Sequence, residues 1–368
     1  MAEFDLIVVG GGLVGSALAW GAQTAGATTA LVDEGDVAFR AARGNFGLVW
    51  LQGKGVGTPA YMHWSLRAGR TWPAFAERLA AAAGFDIGWR QPGGLQFCFS
   101  EREIDARREI IAQTRAEGGD IDISILERAD LKALLPGIGD EVAGASFSSL
   151  DGHVSPLYLL RALQKAFRDA GGRHFPGFRV DRIDAGKESF RATDGTRPLA
   201  GKRIVLAAGL GAAGLAPQVG LAMPVRPERG QIVATERAKP FLPYATNCIR
   251  QSVEGTVLLG SSHEERGFDV GTDVPTVAGL CRTALRVFPA LAEVNIVRSW
   301  GALRIMTPDG LPIYQESARF PGAFAVTCHS GVTLASVHAL DVGPALAGGT
   351  LPPHLSCFTG ERFDVPAS

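Results

Sequence analysis

Leu6-Ile-Val-Val9 is apolar at every position, a run of strand length that stops at Gly10. Beyond the glycines, Ser16-Ala-Leu-Ala-Trp20 continues as an apolar helix segment. A second strand runs from Thr28 to Val32 and ends at the acids Asp33 and Glu34. A different period governs Leu157 to Phe167, where apolar residues recur at three and four positions as on one face of an amphipathic helix. That helix opens at the turn Asp151-Gly-His-Val-Ser155-Pro156, and its stretch closes with Gly177-Phe-Arg-Val180 and the buried-type strand Arg203 to Gly209. A last strand, Ala323-Phe-Ala-Val-Thr327, runs into His329-Ser-Gly331-Val-Thr-Leu-Ala335 and a helix. Residues 86–148 and 221–299 instead alternate in strand fashion, as in Gln231-Ile-Val-Ala-Thr235 and Thr256-Val-Leu-Leu-Gly260, with turn residues between.

The first strand, helix and second strand carry chemistry. In Gly10-x-Gly12-x-x-Gly15, Gly10 makes the tight turn, Gly12 leaves room for a pyrophosphate and Gly15 lets helix and strand approach. Phosphates then sit on free N–H groups of the helix N-terminus, which includes Leu13 and Val14. Asp33, with Glu34 second, has the spacing at which a carboxylate accepts hydrogen bonds from a ribose hydroxyl. The predicted fold is α/β. A discontinuous Rossmann-like nucleotide-binding domain is built from residues 1–85, 149–220 and 300–368. An α+β substrate domain on an antiparallel sheet is inserted twice, as β-rich residues 86–148 and 221–299.

Composition narrows the partner. A chain of 368 residues, 46% hydrophobic and 20% charged, buries a large core. Its formal net charge of −1 offers no basic face to nucleic acid and no polybasic patch to a membrane, so a small molecule is the expected partner. The longest apolar stretches fall short of the roughly 20 residues a membrane span needs, and the first strand begins almost at Met1, so the expected location is cytoplasmic. Cys98, Cys248, Cys281, Cys328 and Cys357 are scattered and form no CxxC pair, which argues against a disulfide framework, a zinc site or an iron–sulfur cluster.

The order of motifs resembles the D-amino-acid-oxidase-like family of FAD-dependent oxidoreductases. It is carried by Gly10-x-Gly12-x-x-Gly15, Asp151-Gly-x-Val-x-Pro156, Val205-Leu-Ala-Ala-Gly209, Pro227-x-Arg229-Gly230-Gln231, Trp300-Gly-x-Leu-Arg304-x-x-Thr-Pro308-Asp-Gly310 and His329-Ser-Gly331-Val-Thr-Leu-Ala335. The resemblance favours FAD over NAD and the branch that oxidises glycine-type secondary amines and opines. It implies that Arg43, Gly44, Asn45, Gly47 and Leu48 line the pyrophosphate and isoalloxazine, and that Val180 pairs through its backbone with the adenine. Ala207, Ala208 and Gly209 would pass under the ribose and diphosphate. Ser330, Gly331, Val332, Thr333 and Leu334 would bring N–H groups to the pyrimidine edge, where reduced flavin gains negative charge. Gly301, Leu303 and Arg304 complete the implied flavin contacts.

The resemblance also implies the reaction: a hydride equivalent passes from the carbon beside nitrogen to flavin, the imine hydrolyses, and oxygen reoxidises the flavin. Arg304 would pair with the substrate carboxylate. Arg250 could hold a second carboxylate, which suits a diacid such as iminodiacetate or an opine. His263 could hydrogen-bond substrate or keep the amine deprotonated. Trp50 and Gln52 would cover the pocket, whereas His63 and Trp64 sit on an apparent helix as packing. No cysteine stands in Arg304-Ile-Met306, where sarcosine oxidases attach flavin, so the FAD is expected to be noncovalent. The Thr256 to Leu259 strand lacks the lysine thought to activate oxygen in those enzymes. An electron-accepting subunit is therefore the alternative to oxygen, with the chain as the catalytic β subunit of an opine, D-hydroxyproline or glycine dehydrogenase. A flavoprotein of tRNA modification or cofactor assembly is a third reading, and the neutral charge disfavours tRNA.

Overall fold

The computed structural model describes residues 2–35, 41–186 and 188–363. Met1, residues 36–40, Lys187 and residues 364–368 fall in the expected nucleotide-binding segments and lie outside the described residues. The Phe4–Val9 strand sits inside a sheet, parallel to Thr29–Asp33 on one side and to Pro198–Leu206 on the other. Arg173–Pro176 extends the sheet beyond Thr29–Asp33, and Ala323–Thr327 beyond Pro198–Leu206, both in parallel. Antiparallel Ile313–Glu316 makes one edge.

The continuous apolar run is explained by burial on both faces. Leu6 and Val8 join the core beneath the Leu13–Thr24 and Pro156–Asp169 helices, while Ile7 and Val9 join a second core on the opposite face. The chain leaves Phe4–Val9 in opposite directions across the sheet, so a crevice opens at the carboxyl ends of the strands. The strand expected to reach Gly209 ends at Leu206, and residues 177–180 lie outside any strand. Ala207 and Ala208 thus lead from the strand into a short 3-10 helix, Gly209–Gly211, at the crevice.

The inserted segments differ from their strand-like reading. Residues 101–116 form a helix whose buried positions are Ile104, Arg107, Ile111 and Thr114. Its start is capped: the Ser100 hydroxyl accepts from the Glu103 N–H, and the Glu103 carboxylate accepts from the Phe99 N–H. Val274–Val287 is a second helix, capped by Asp273. The strands are antiparallel as expected. Ile249–Gln251, Thr256–Gly260, Arg226–Arg237 and Ile296–Met306 form one sheet in that order. Gly94–Cys98, Gly144–Ser148 and Ile123–Glu127 form another, joined by parallel Ala245–Thr246 from the second segment. Leu95 and Phe97 share a core with Val233, Ile249 and Val257, so the two segments pack around one core. The Ile296–Met306 strand crosses the expected boundary at residue 300 and carries Arg304 on the substrate-domain sheet. No helix among the described residues is long and apolar enough to cross a membrane.

Candidate active site

Two cavities, of about 390 and about 310 Å³, meet along shared walls at Ala41, Asn45, Ile305 and His329. The larger follows the crevice at the strand ends. Gly10, with φ +109°, lies against the backbone of Ala207, where a Cβ would come within 2.4 Å of the carbonyl oxygen. A Cβ on Gly15 would stand 1.8 Å from the Gly10 carbonyl, so that glycine serves the helix–strand contact and is not part of the cavity wall. Gly12 instead faces open space, the nearest atom to its Cβ position being Ala42 at 4.0 Å. The helix behind it begins without a side-chain cap, which leaves its first-turn N–H groups for an anion. Leu13, Val14, Val180, Ala207, Ala208 and Gly209 line the same trough.

Asp33 and Glu34 both reach this cavity. The Asp33 carboxylate accepts from the Gly11 N–H at 2.8 Å and from the Gly35 N–H at 2.9 Å, which fixes it at the strand end. Glu34 has only a long ion pair to Arg179, at 3.9 Å, among the described contacts. An uncapped helix N-terminus at an open glycine, acids at the end of the second strand and a trough running into a second cavity fit a dinucleotide with a reactive ring at its far end. Cys328 also lines the trough, but burial pushes its thiol up to about 12, which keeps it protonated.

The smaller cavity has Arg304 on one wall. Its Nη1 donates to Glu228 Oε1 at 3.2 Å and to the Arg229 carbonyl at 3.4 Å, and its Nη2 donates to Ser261 Oγ at 2.6 Å. Glu228 is shared with His263, whose Nδ1 lies 2.7 Å from the same oxygen at the exposed mouth. Lys54 lines it as well, and its Nζ donates to Ser330 Oγ at 2.5 Å. Tyr61 Oη lies 2.8 Å from Ser330 Oγ, and His329 Nδ1 lies 3.2 Å from it. One hydroxyl satisfies all three when it accepts from Lys54 and Tyr61 and donates to His329. That assignment needs a neutral His329, and the imidazole is held down at about 3 by burial first and then by Lys54, Arg304 and His263.

Several expected residues stand together here. Gly44, Asn45, Leu48, Trp50, Leu303, Ser330, Val332 and Thr333 line the smaller cavity, and Arg43 and Gly331 the larger. Others do not reach either wall. Gly47 packs on the Val154 carbonyl, and Gly301 on the carbonyls of Val270 and Gly271. Leu334 is fully buried and its N–H is already donated to the Ser330 carbonyl, so it has no N–H to offer a ring edge. Gln52 is a correction to the pocket reading: it lies in a buried network, donating to Asp151 and accepting from Arg107 and Ser146. Desolvation pushes the Asp151 carboxyl of that network up to about 7. Arg250 is 4% exposed and donates through Nε to the Phe46 carbonyl at 2.7 Å, behind the cavity wall instead of on it. Burial lowers its guanidinium to about 10. His63 is exposed on the Pro59–Ala83 helix, whereas Trp64 packs inward and donates to Tyr314.

Lys54, Ser261 and Glu228 were missed by the sequence reading. Glu228 sat inside a quoted motif, and Lys54 is a lone cation between Gly53 and Gly55 just after an apolar stretch, the one signal that could have drawn notice.

Comparison with known proteins agrees with this geometry. The family described as FAD dependent oxidoreductase matches residues 5–342. An opine oxidase subunit of Rhizobium meliloti is 40% identical over 369 residues, covering 99% of each chain. The crystal structure of glycine oxidase from Geobacillus kaustophilus superposes with a TM-score of 0.88 at 25% identity, covering 98% of each chain. Iminodiacetate oxidase from Chelativorans sp. BNC1 shares the fold, with a TM-score of 0.83 at 18% identity over 96% of this chain and 98% of that one. Nucleotide crevice, inserted antiparallel sheet and full-length similarity agree, and the chain belongs to the FAD dependent oxidoreductase family.

Proposed function

We propose that this protein uses noncovalent FAD to oxidise an N-substituted glycine or imino diacid, such as iminodiacetate or an opine, at its Cα–N bond. The observation that carries the reading is Arg304, a largely buried guanidinium on the wall of a cavity that continues the nucleotide trough. Bound FAD would supply the two-electron acceptor for the electron pair and hydrogen of the substrate Cα–H bond, leaving an imine for water to hydrolyse. The rest is binding and orientation by the chain. Leu13, Val14 and the open side of Gly12 would hold the diphosphate, and Asp33 or Glu34 the ribose hydroxyls. Backbone N–H groups of Gly331, Val332 and Thr333 would face the pyrimidine edge, with Trp72 and Trp50 fixing Thr333 through hydrogen bonds of 2.9 and 3.3 Å.

A substrate carboxylate on Arg304 would fix the orientation of the reacting carbon. His263, joined to Glu228 at the cavity mouth, would exchange the amine proton with water. Arg250 would act at a distance, holding the Phe46 wall. A second reading, in which the flavin is reoxidised by an electron-accepting subunit instead of oxygen, is favoured by the opine oxidase relative, which is named as one subunit of its enzyme. The test is to mix the yellow holoprotein anaerobically with iminodiacetate, sarcosine, glycine, D-proline and an opine, follow the flavin absorbance, then admit air. Bleaching with rapid recovery and peroxide supports an oxidase; bleaching that air barely reverses supports the partner-dependent reading. Arg304→Ala is expected to raise the KM of the active substrate by about 100-fold, the scale of a charge-assisted hydrogen-bonded pair. Unchanged kinetics would remove Arg304 from the site.

A further inference from the structure

We infer that Lys54 binds the second carboxylate of a dicarboxylic secondary amine, and so selects diacids over N-alkyl glycines; the inference rests on the proposed oxidation and on Arg304 holding the first carboxylate. The smaller cavity has two formally charged wall residues, Lys54 and Arg304, with no carboxylate lining it among the described residues. Arg304 is already matched to Glu228. Lys54 has no carboxylate within ion-pair distance among the described residues; its ammonium donates to the neutral Ser330 hydroxyl at 2.5 Å, stands 6.0 Å from the centre of the Tyr61 ring and acts on buried Asp151 only through its field. An ammonium has three donors, so two remain for a ligand.

The two cations are held by separate elements. They come from different layers, Lys54 from the turn after the Leu48–Val49 strand and Arg304 from the Ile296–Met306 strand of the inserted sheet. The positive charges of both bear on His329, which lines the cavity with them. A ligand in this cavity thus has both cations and the neutral imidazole of His329 among its walls. An imino diacid has a carboxylate for each cation, in the order carboxylate, carbon, nitrogen, carbon, carboxylate. With its amine protonated it carries two negative charges and one positive, against two cations on the walls and Glu228 behind Arg304. An N-alkyl glycine fills one end and leaves Lys54 facing an alkyl group.

Sarcosine and iminodiacetate share the glycyl half and differ in the group that would meet Lys54, which makes them the probes. Holoenzymes of equal flavin content are compared as the wild type, Lys54→Met and Lys54→Arg. The loss of kcat/KM on iminodiacetate in Lys54→Met should exceed the loss on sarcosine by about 10- to 100-fold, mainly through KM. Lys54→Arg should recover most of the diacid preference. Equal losses on both substrates would overturn the inference, because a lysine acting on the flavin, or one sharing the Arg304-bound carboxylate, affects both alike. Equal retention on both would overturn it as well. If the wild-type enzyme oxidises neither substrate, the oxidation reading has failed on its own, and binding still decides Lys54. Thiodiacetate and methylthioacetate, which carry sulfur in place of nitrogen, are titrated against the flavin spectrum. At least tenfold tighter binding of the diacid that disappears in Lys54→Met supports the inference. No preference, or no binding of either, overturns it.

Discussion

Arg304 lies flat against the backbone of Gly230. A Cβ there would come within 2.7 Å of Nη1 and Nη2, so the neighbouring strand must be bare at that point for the guanidinium to reach Glu228 and Ser261. The obstructed atoms are the far end of a flexible side chain, so Gly230→Ala should fold normally and displace only the arginine head. The expected result is a KM raised by about tenfold or more with a melting temperature within about 2 °C of wild type. Steady-state kinetics beside a thermal melt read both. A KM that stays put while Arg304→Ala raises it would mean that the arginine tolerates displacement. The motif Pro227-x-Arg229-Gly230-Gln231 and the arginine were both visible in the sequence, but their contact was not, because it arises only when Gly230 pairs with Ala302 across two strands. Lys54 was illegible for a related reason: its direction is set by the turn closed by its N–H on the Leu51 carbonyl, which no periodicity announces.

Alternation along the Arg226–Arg237 strand gives its two faces separate tasks. Glu228 and Gly230 look toward the cavity with Arg304, while Arg229 and Gln231 look away and tie down residues 264–273 behind the sheet. Arg229 is 3% exposed and pairs with Glu264 at 2.6 Å, Asp269 at 2.5 Å and Asp273 at 3.1 Å. Asp273 in turn caps the Val274–Val287 helix through the Thr276 N–H at 2.9 Å, so one guanidinium joins strand, loop and helix start. Arg229→Met removes the cation and leaves partly buried carboxylates facing one another. Since Asp269 is well exposed, the expected destabilisation is about 2–4 kcal/mol, seen as a melting temperature lower by about 3–5 °C. A shift under about 1 °C would show that water screens the cluster. The strand was legible from its alternation. The Glu101–Ala116 helix was not, because its buried side includes Arg107 and the apolar signal reduces to Ile104 and Ile111. Its Ser100–Glu103 capping pattern was the readable clue.

The nucleotide half of the protein was legible because its strands are apolar on both faces and its glycines stand at fixed spacings. The inserted half was not traceable, because Gly94–Cys98 pairs with Ala245–Thr246 from a distant part of the chain and no local pattern encodes that register. The halves meet through buried polar groups, and these set the response to acid. Arg107 and Ser146 of the inserted layer hold Gln52, which holds Asp151. His153 beside them is lowered by burial to about 4, and burial likewise holds His329 and His338 at about 3. Below pH 6.5 the unfolded chain takes up protons at these three histidines that the folded state refuses, so their contribution to stability is lost as pH falls from about 6.5 toward 3. Asp151 has the opposite sign. Its folded carboxyl keeps a proton up to about 7 while the unfolded one releases it above 3.8, so its contribution is present at low pH and lost as pH rises toward 7. Burial lowers His174 and His354 as well, so proton uptake by histidines outweighs the one aspartate between pH 5 and 6.5 and the slope favours higher pH. The urea midpoint of the holoenzyme in excess FAD should therefore fall as pH drops from 6.5 to 5. His338 offers the cleanest check: it is fully buried, outside both cavities, with Nε2 2.7 Å from Tyr314 Oη. His338→Gln keeps an acceptor for that hydroxyl and removes one titrating group, so it should flatten the slope by about 1.4 kcal/mol per pH unit. An unchanged slope would mean that His338 binds its proton equally in both states, which its enclosure by the core argues against.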